Sequence, residues 1–111
     1  MKEIWKDIPD YKGIYQISNL GRIKSLPRMM QKRKCVETIK KPSLSNKGYY
    51  RIPLYNNGKA KYYAIHRLVA ETFIPNLENK PTVDHIDRNR TNNMVSNLRW
   101  ATYKEQRANR C

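Results

Sequence analysis

The chain has 111 residues, with 23 Lys and Arg against nine Asp and Glu, a net charge of +14 at neutral pH. That excess points to a polyanion as partner, and the absence of an apolar run of about eighteen residues excludes a membrane-spanning helix. Only 39% of the residues are hydrophobic, and eight are tyrosines, which suits one thin domain, or two small modules sharing a core.

The N-terminus, MKEIWKDIPD, lacks the apolar stretch of a signal peptide. Cys35 and Cys111 are too few for a disulfide scaffold and have no paired spacing for zinc. The expected setting is the cytoplasm, with free thiols. Trp5 is expected in the core. Residues 14–17 are β-prone, Asn19-Leu20-Gly21 supplies a turn, and residues 22–26 return as a second strand. Ile23 between Arg22 and Lys24 gives that pair one apolar and one basic face, able to lie on a phosphate backbone.

Residues 27–41, PRMMQKRKCVETIKK, are the densest basic run. They read either as a solvated loop or as a direct contact to nucleic acid. A hairpin follows: Tyr50, Ile52 and Leu54 alternate on one face, Asn56-Asn57-Gly58 tolerates the positive φ of a tight turn, and residues 62–65 return. Pro53 has no N–H to give a ladder, so its strand is expected at an edge or a bulge. Ile65, Leu68, Val69, Thr72 and Phe73 then recur at helical spacing, and Pro75 stops the helix. At its start, His66 is expected to make a local hydrogen bond. The last element is a short helix over residues 102–110, opened by the capping box of Thr102 and Glu105.

Between the two helices lies VDHIDRNRTNNMVSNLRWAT, residues 83–102. It places two of the nine acids, Asp84 and Asp87, around His85 and Ile86. A carboxylate is a hard oxygen ligand for Mg²⁺, and a neutral imidazole is a general base near pH 7. In a basic protein the two together suggest metal-assisted hydrolysis of a phosphodiester. Asp87 reads as a turn residue of the loop, with Arg88 and Arg90 as phosphate contacts. Leu98 and Trp100 should pack inward while Arg99 faces out.

HRLVAETFIP and VDHIDRNRTNNMVSNLRWAT resemble the HNH endonucleases of the phage and intron-homing type. IWKDIPDYKGIYQISNLGRIKSL resembles the NUMOD4-like DNA-binding module found ahead of that nuclease core. The resemblance implies an α+β fold: a small N-terminal antiparallel β-sheet over residues 1–55, then a ββα-metal (His-Me finger) core over residues 56–111, with a shared hydrophobic core. It implies that Asp84 is a metal ligand, His85 the general base, and Asn97 the middle motif residue, whose amide bridges backbone groups of the loop. It also implies one Mg²⁺, Mn²⁺ or other divalent cation per site. In such relatives the final helix offers His or Asn to the metal, whereas here Gln106 stands in that place, with Asn109 one turn further on.

The expected function is therefore nicking or cleavage of double-stranded DNA by a monomer or weak dimer, with no membrane and no protein partner. Arg22, Lys24, Arg28, Lys32, Arg33, Lys34, Arg51, Arg67, Arg88 and Arg90 are the expected DNA contacts. Larger relatives carry a further C-terminal region for target choice, so a chain stopping at Cys111 implies looser specificity or a truncated relative. The alternatives are a DNA-binding protein whose catalysis is impaired by Gln106, and an RNA-binding protein, for which no recognition motif is present.

Overall fold

A computed structural model describes residues 2–30 and 33–108; for the strands at 28–30 and 33–35 it describes the backbone pairing alone. The fold is α+β. Strands β1 (Trp5–Asp7), β2 (Tyr15–Ser18) and β3 (Ile23–Ser25) come first, followed by β4 (Arg28–Met30), β5 (Arg33–Cys35), β6 (Thr38–Ile39) and β7 (Ser43–Leu44). The longer β8 (Tyr50–Asn56) and β9 (Lys59–Ala64) lead into helix α1 (Ile65–Phe73). The chain then forms β10 (Thr82–His85), β11 (Leu98–Ala101) and helix α2 (Tyr103–Ala108).

Among the described residues all pairings are antiparallel, in four sheets with orders β1-β2-β3-β6, β4-β5, β7-β8-β9 and β10-β11. Within the basic run at 27–41, the described residues include two paired strands, β4 and β5, and the edge strand β6. The pairing of Arg28 with Cys35 and of Met30 with Arg33 sets the register of β4 and β5. Thr38 and Ile39 pair with Ser25 and Lys24.

Pro53 lies in β8, the middle strand of its sheet, where an edge or a bulge was expected. The register explains the tolerance. Strand β7 reaches only Tyr50 and Arg51 of β8, so the β7 side of Pro53 has no ladder partner. Asn56 and Lys59 close the hairpin, and from that pair the odd-numbered amides of β8 point away from β9. The Tyr55 amide obeys the rule and donates to the Tyr15 hydroxyl at 3.1 Å. The missing donor of Pro53 therefore costs the sheet nothing. Asn57 and Gly58 take φ of 54° and 76°, the left-handed pair that a two-residue hairpin turn requires.

One apolar cluster runs through the molecule. It joins Ile8, just past β1, and Tyr15, Ile17 and Ile23 of β2 and β3 to Ile52, Leu54, Ile65, Leu68, Val69, Val83 and Leu98. Helix α1 turns Ile65, Leu68, Val69 and Ala70 into it, and each fully buried aliphatic side chain contributes about 1.5–3 kcal/mol. Two tyrosine contacts reinforce the join: Tyr55 to Tyr15, and a 3.0 Å hydroxyl pair between Tyr11 and Tyr63. Trp5 is not part of this cluster. It is half-buried, with the Lys24 ammonium 4.3 Å and the Arg22 guanidinium 5.6 Å from its ring. A three-residue strand beside two cations favours a cation–π face over a core position.

Candidate functional site

Strand β10 ends in Asp84 and His85, both buried. Across the ladder they face Arg99 and Leu98 of β11. The Arg99 side chain is exposed, as alternation predicts, yet its guanidinium turns back onto Asp84: Nε and Nη2 donate to Oδ2 at 3.2 and 3.1 Å. Trp100 packs against the core and donates from Nε1 to the Ile74 carbonyl at 2.9 Å.

The loop between the strands is built by short polar side chains bonding nearby backbone, which is what Asn and Asp favour in turns. Asp87 Oδ1 accepts from the Asn89 amide and from Asn97 Nδ2, both at 2.8 Å, and Oδ2 accepts from Asn92 Nδ2 at 3.0 Å. These three donors hold the Asp87 carboxyl below its ordinary range, the Asn92 bond most strongly. Asn97 spans the loop. Its Nδ2 also donates to the Asn92 carbonyl at 2.9 Å, its Oδ1 accepts the Asp87 amide at 3.0 Å, and its carbonyl accepts the Ile86 amide at 2.8 Å. Arg88 adopts φ of 64° in the same turn.

His85 sits under this loop. Its Nε2 is 2.8 Å from Asn93 Oδ1. Its ring also lies 5.0 Å from His66 and 5.8 Å from Tyr49, and Tyr49 stacks on His66 at 5.0 Å. His66 was expected to make a hydrogen bond at the helix start. Instead, its Nδ1 is buried and has no hydrogen-bond partner among the described residues. Burial pushes its imidazole down to about 4, helped by His85 and Arg67.

The capping box forms as read. Thr102 Oγ1 accepts the Glu105 amide at 3.1 Å, and Glu105 Oε1 accepts the Thr102 amide at 3.0 Å. Lys80 Nζ adds a 3.0 Å contact to the same oxygen, and the Glu105 carboxyl falls to about 2, chiefly through the Thr102 amide. The cap sets the angle at which α2 leaves β11. That brings Gln106 back to β10, its Nε2 3.5 Å from the Val83 carbonyl, one residue before Asp84.

Among the described residues, no three His, Cys, Asp or Glu side chains converge in a metal-binding group. The donor set on offer is the Asp84 carboxylate and the Gln106 amide oxygen. Both are hard oxygens, and one carboxylate completed by waters and phosphate oxygens is a usual arrangement for Mg²⁺. The residues fit a divalent cation of that kind.

Residues 3–55 match the NUMOD4 motif, and residues 63–108 match a family described as HNH endonuclease. The chain thus carries a segment matching the HNH endonuclease family behind a segment matching the NUMOD4 motif. It is 43% identical over 100 residues to DNA endonuclease I-HmuI of Bacillus phage SP01, covering 90% of this chain and 53% of that protein. It is 33% identical over 107 residues to the H-N-H endonuclease F-TflII of Escherichia phage T5, covering 95% of this chain and 51% of the relative. A solved structure of DNA binding and cleavage by the HNH homing endonuclease I-HmuI aligns with a TM-score of 0.76 at 42% identity, over 91% of this chain and 53% of that one. The chain therefore spans about half the length of both phage relatives.

The expected DNA contacts are scattered through the fold. Arg22 forms an ion pair with Glu3, and Lys24 lies 3.5 Å from Glu37. Arg51 is exposed over the Tyr62 ring at 4.9 Å. Arg67 donates to the Pro81 carbonyl at 3.2 Å and stands 3.8 Å from Glu71. Arg88 and Arg90 are exposed on the loop above His85, and Arg90 donates to the Lys47 carbonyl and covers the Tyr49 ring. Arg28, Arg33 and Lys34 are described by backbone only, in β4 and β5. Lys32 and Asn109 lie outside the described residues. Sequence reasoning overlooked Asn93, Tyr49 and the turn of Arg99 onto Asp84. The Asn run held the first, but nothing in its spacing says which Asn meets the histidine.

Proposed function

We propose that this chain is a divalent-metal-dependent DNA endonuclease that hydrolyses one phosphodiester bond per encounter. The observation that carries this reading is the buried pair Asp84 and His85 at the end of β10, with Gln106 of α2 reaching the neighbouring Val83 carbonyl and a loop bearing Arg88 and Arg90 beside them. In this reading Asp84 and Gln106 hold the cation, Mg²⁺ in the first instance, and Asn97 keeps the loop shaped around His85. The cation, when bound, supplies positive charge to the scissile phosphate and the departing oxygen.

His85 takes a proton from a water as its oxygen bonds to phosphorus. The bond from phosphorus to the 3′-oxygen of the deoxyribose breaks, and that oxygen leaves with the electron pair and is protonated by solvent. The N-terminal strands and the loop arginines neutralise backbone phosphates on double-stranded DNA. One such centre per chain cuts one strand at a time, so nicking is the expected product. The setting is the cytoplasm of a host cell.

The test is relaxation of supercoiled plasmid with Mg²⁺, Mn²⁺ or EDTA. Nicked circles are expected with metal and none with EDTA, and His85→Ala should lose at least about a hundredfold in rate. An unchanged rate in His85→Ala rejects the mechanism. The second reading is a DNA-binding protein with impaired catalysis, and Gln106 is the observation that favours it. Binding that survives EDTA, with no product under any divalent metal, would establish that reading instead.

A further inference from the structure

We propose that Asn93 is the positioning residue for His85, and that the turn at residues 19–21 of the N-terminal sheet holds Asn93 in place. The proposal rests on the reading of His85 as the base. An imidazole must present a particular nitrogen, with its lone pair outward, to take a proton. What fixes the ring is the bond made by its other nitrogen. Here that bond is between His85 Nε2 and Asn93 Oδ1, at 2.8 Å, with both side chains buried. An amide oxygen only accepts, so the proton sits on Nε2 and the lone pair on Nδ1.

Asn93 needs support to do this. A cleft of about 310 Å³ opens beside it between the N-terminal sheet and β8, lined in part by Ile23, Ile52, Thr91 and Asn93 itself. That space would let the side chain swing away from the histidine. Two contacts from the N-terminal turn oppose it. The Asn19 carbonyl accepts the Val95 amide at 2.8 Å. Gly21, at φ of 85°, lies so close that a β-carbon there would stand 3.0 Å from both the Cβ and the carbonyl oxygen of Asn93. Few real Cβ contacts are that short, so only glycine lets the turn close against the loop without displacing it.

Asn19 is itself anchored: its Oδ1 accepts the Ile4 amide at 2.8 Å, and its Nδ2 donates to the Lys2 carbonyl at 3.1 Å. A chain of contacts therefore runs from the first strand region to the base. In this view the NUMOD4 segment does more than grip DNA; it completes the wall that aligns the nuclease histidine.

The test uses the full chain. Long-range ¹H–¹⁵N correlation spectra of the metal-free protein report which ring nitrogen of His85 carries the proton. The expected wild-type form is Nε2–H, and Asn93→Ala should mix the two tautomers. In plasmid nicking, Asn93→Ala should lower kcat about tenfold to a hundredfold, with KM and the DNA Kd in EDTA changed less than twofold. Asn93→Asp, which restores an acceptor, should recover most of the loss. Gly21→Ala should lower kcat in the same direction.

Wild-type His85 protonated at Nδ1, or Asn93→Ala with unchanged kcat, overturns the proposal, as does Asn93→Asp behaving like Asn93→Ala. The tautomer measurement needs no activity. If wild type cuts no DNA while Asn93→Ala still mixes the tautomers, the nuclease reading fails and the positioning contact stands.

Discussion

Arg99 gives two hydrogen bonds, from Nε and Nη2, to a single oxygen of Asp84. Asp84 is the one carboxylate proposed to hold the cation. A guanidinium on that carboxylate orients it but also repels a second positive charge. At 4 Å, even with the screening of bulk water, each pair of unit charges costs about 1 kcal/mol. Arg99→Met is therefore expected to lower the Mg²⁺ concentration for half-maximal nicking severalfold. A metal titration of wild type and variant at constant ionic strength checks it. A higher requirement in the variant would mean that Arg99 matters as an orienting group and not as a competitor.

Gln106, the second ligand in the proposed reading, presents the opposite problem, a side chain one methylene longer than Asn. Metal–ligand distances tolerate only about 0.2 Å, and the longer arm moves the oxygen by far more. The 3.5 Å approach of its Nε2 to the Val83 carbonyl shows how the arm is accommodated: the amide turns along β10, its nitrogen toward the strand. Gln106→Asn is expected to nick faster than wild type by about tenfold and Gln106→Ala slower by at least that factor, the range seen when groups around a metal are altered. Single-turnover rates at saturating Mg²⁺ decide it. Equal rates for wild type and Gln106→Ala would remove Gln106 from the metal site.

The legible parts of the molecule were those governed by neighbours in sequence. The Asn57-Gly58 turn, the apolar stripe of α1 and the Thr102–Glu105 box each depend on residues a few positions apart, so their patterns carry through to the fold. What escaped the sequence depends on pairs far apart. Asn93 meets His85 across a loop, Gly21 meets Asn93 across the two halves of the chain, and Tyr49 and His66 come together from different elements. Trp5 misled because a large aromatic usually goes inward, whereas here two cations cover its ring. Pro53 misled because strand order alone does not say how far β7 extends.

The capping box links helix stability to the site. Helix α2 has only six residues, so its own hydrogen bonds cannot sustain it, and the cap carries a large share of its order. Thr102→Ala should cost about 1 kcal/mol. Most of that should appear as fraying of α2, not as global unfolding. Amide hydrogen exchange at Glu105 and Gln106 should accelerate about fivefold, the equivalent of that energy. The Mg²⁺ requirement for nicking should rise with it, since Gln106 rides on the helix. Unchanged exchange at both amides would show that packing against β10, and not the cap, holds the helix.

His66 makes the fold sensitive to mild acid. Its imidazole is held at about 4 by burial, against an ordinary value of 6.5, with His85 and Arg67 lowering it further. Tyr49 closes the other face of the ring. The folded chain thus keeps His66 neutral over a range where the unfolded chain binds a proton. Its contribution to stability is complete above pH 6.5 and is lost as the pH falls from there through 4. Between pH 6.5 and 5 few carboxylates titrate, so this window isolates the histidines. His66→Phe keeps a ring against Tyr49 and removes the titration. Over that window the Tm of wild type should fall more steeply with decreasing pH than that of His66→Phe, whatever their difference at pH 7. Thermal melts by circular dichroism at half-unit pH steps give the two slopes. Parallel slopes would mean that His66 is protonated as readily in the fold as in the unfolded chain.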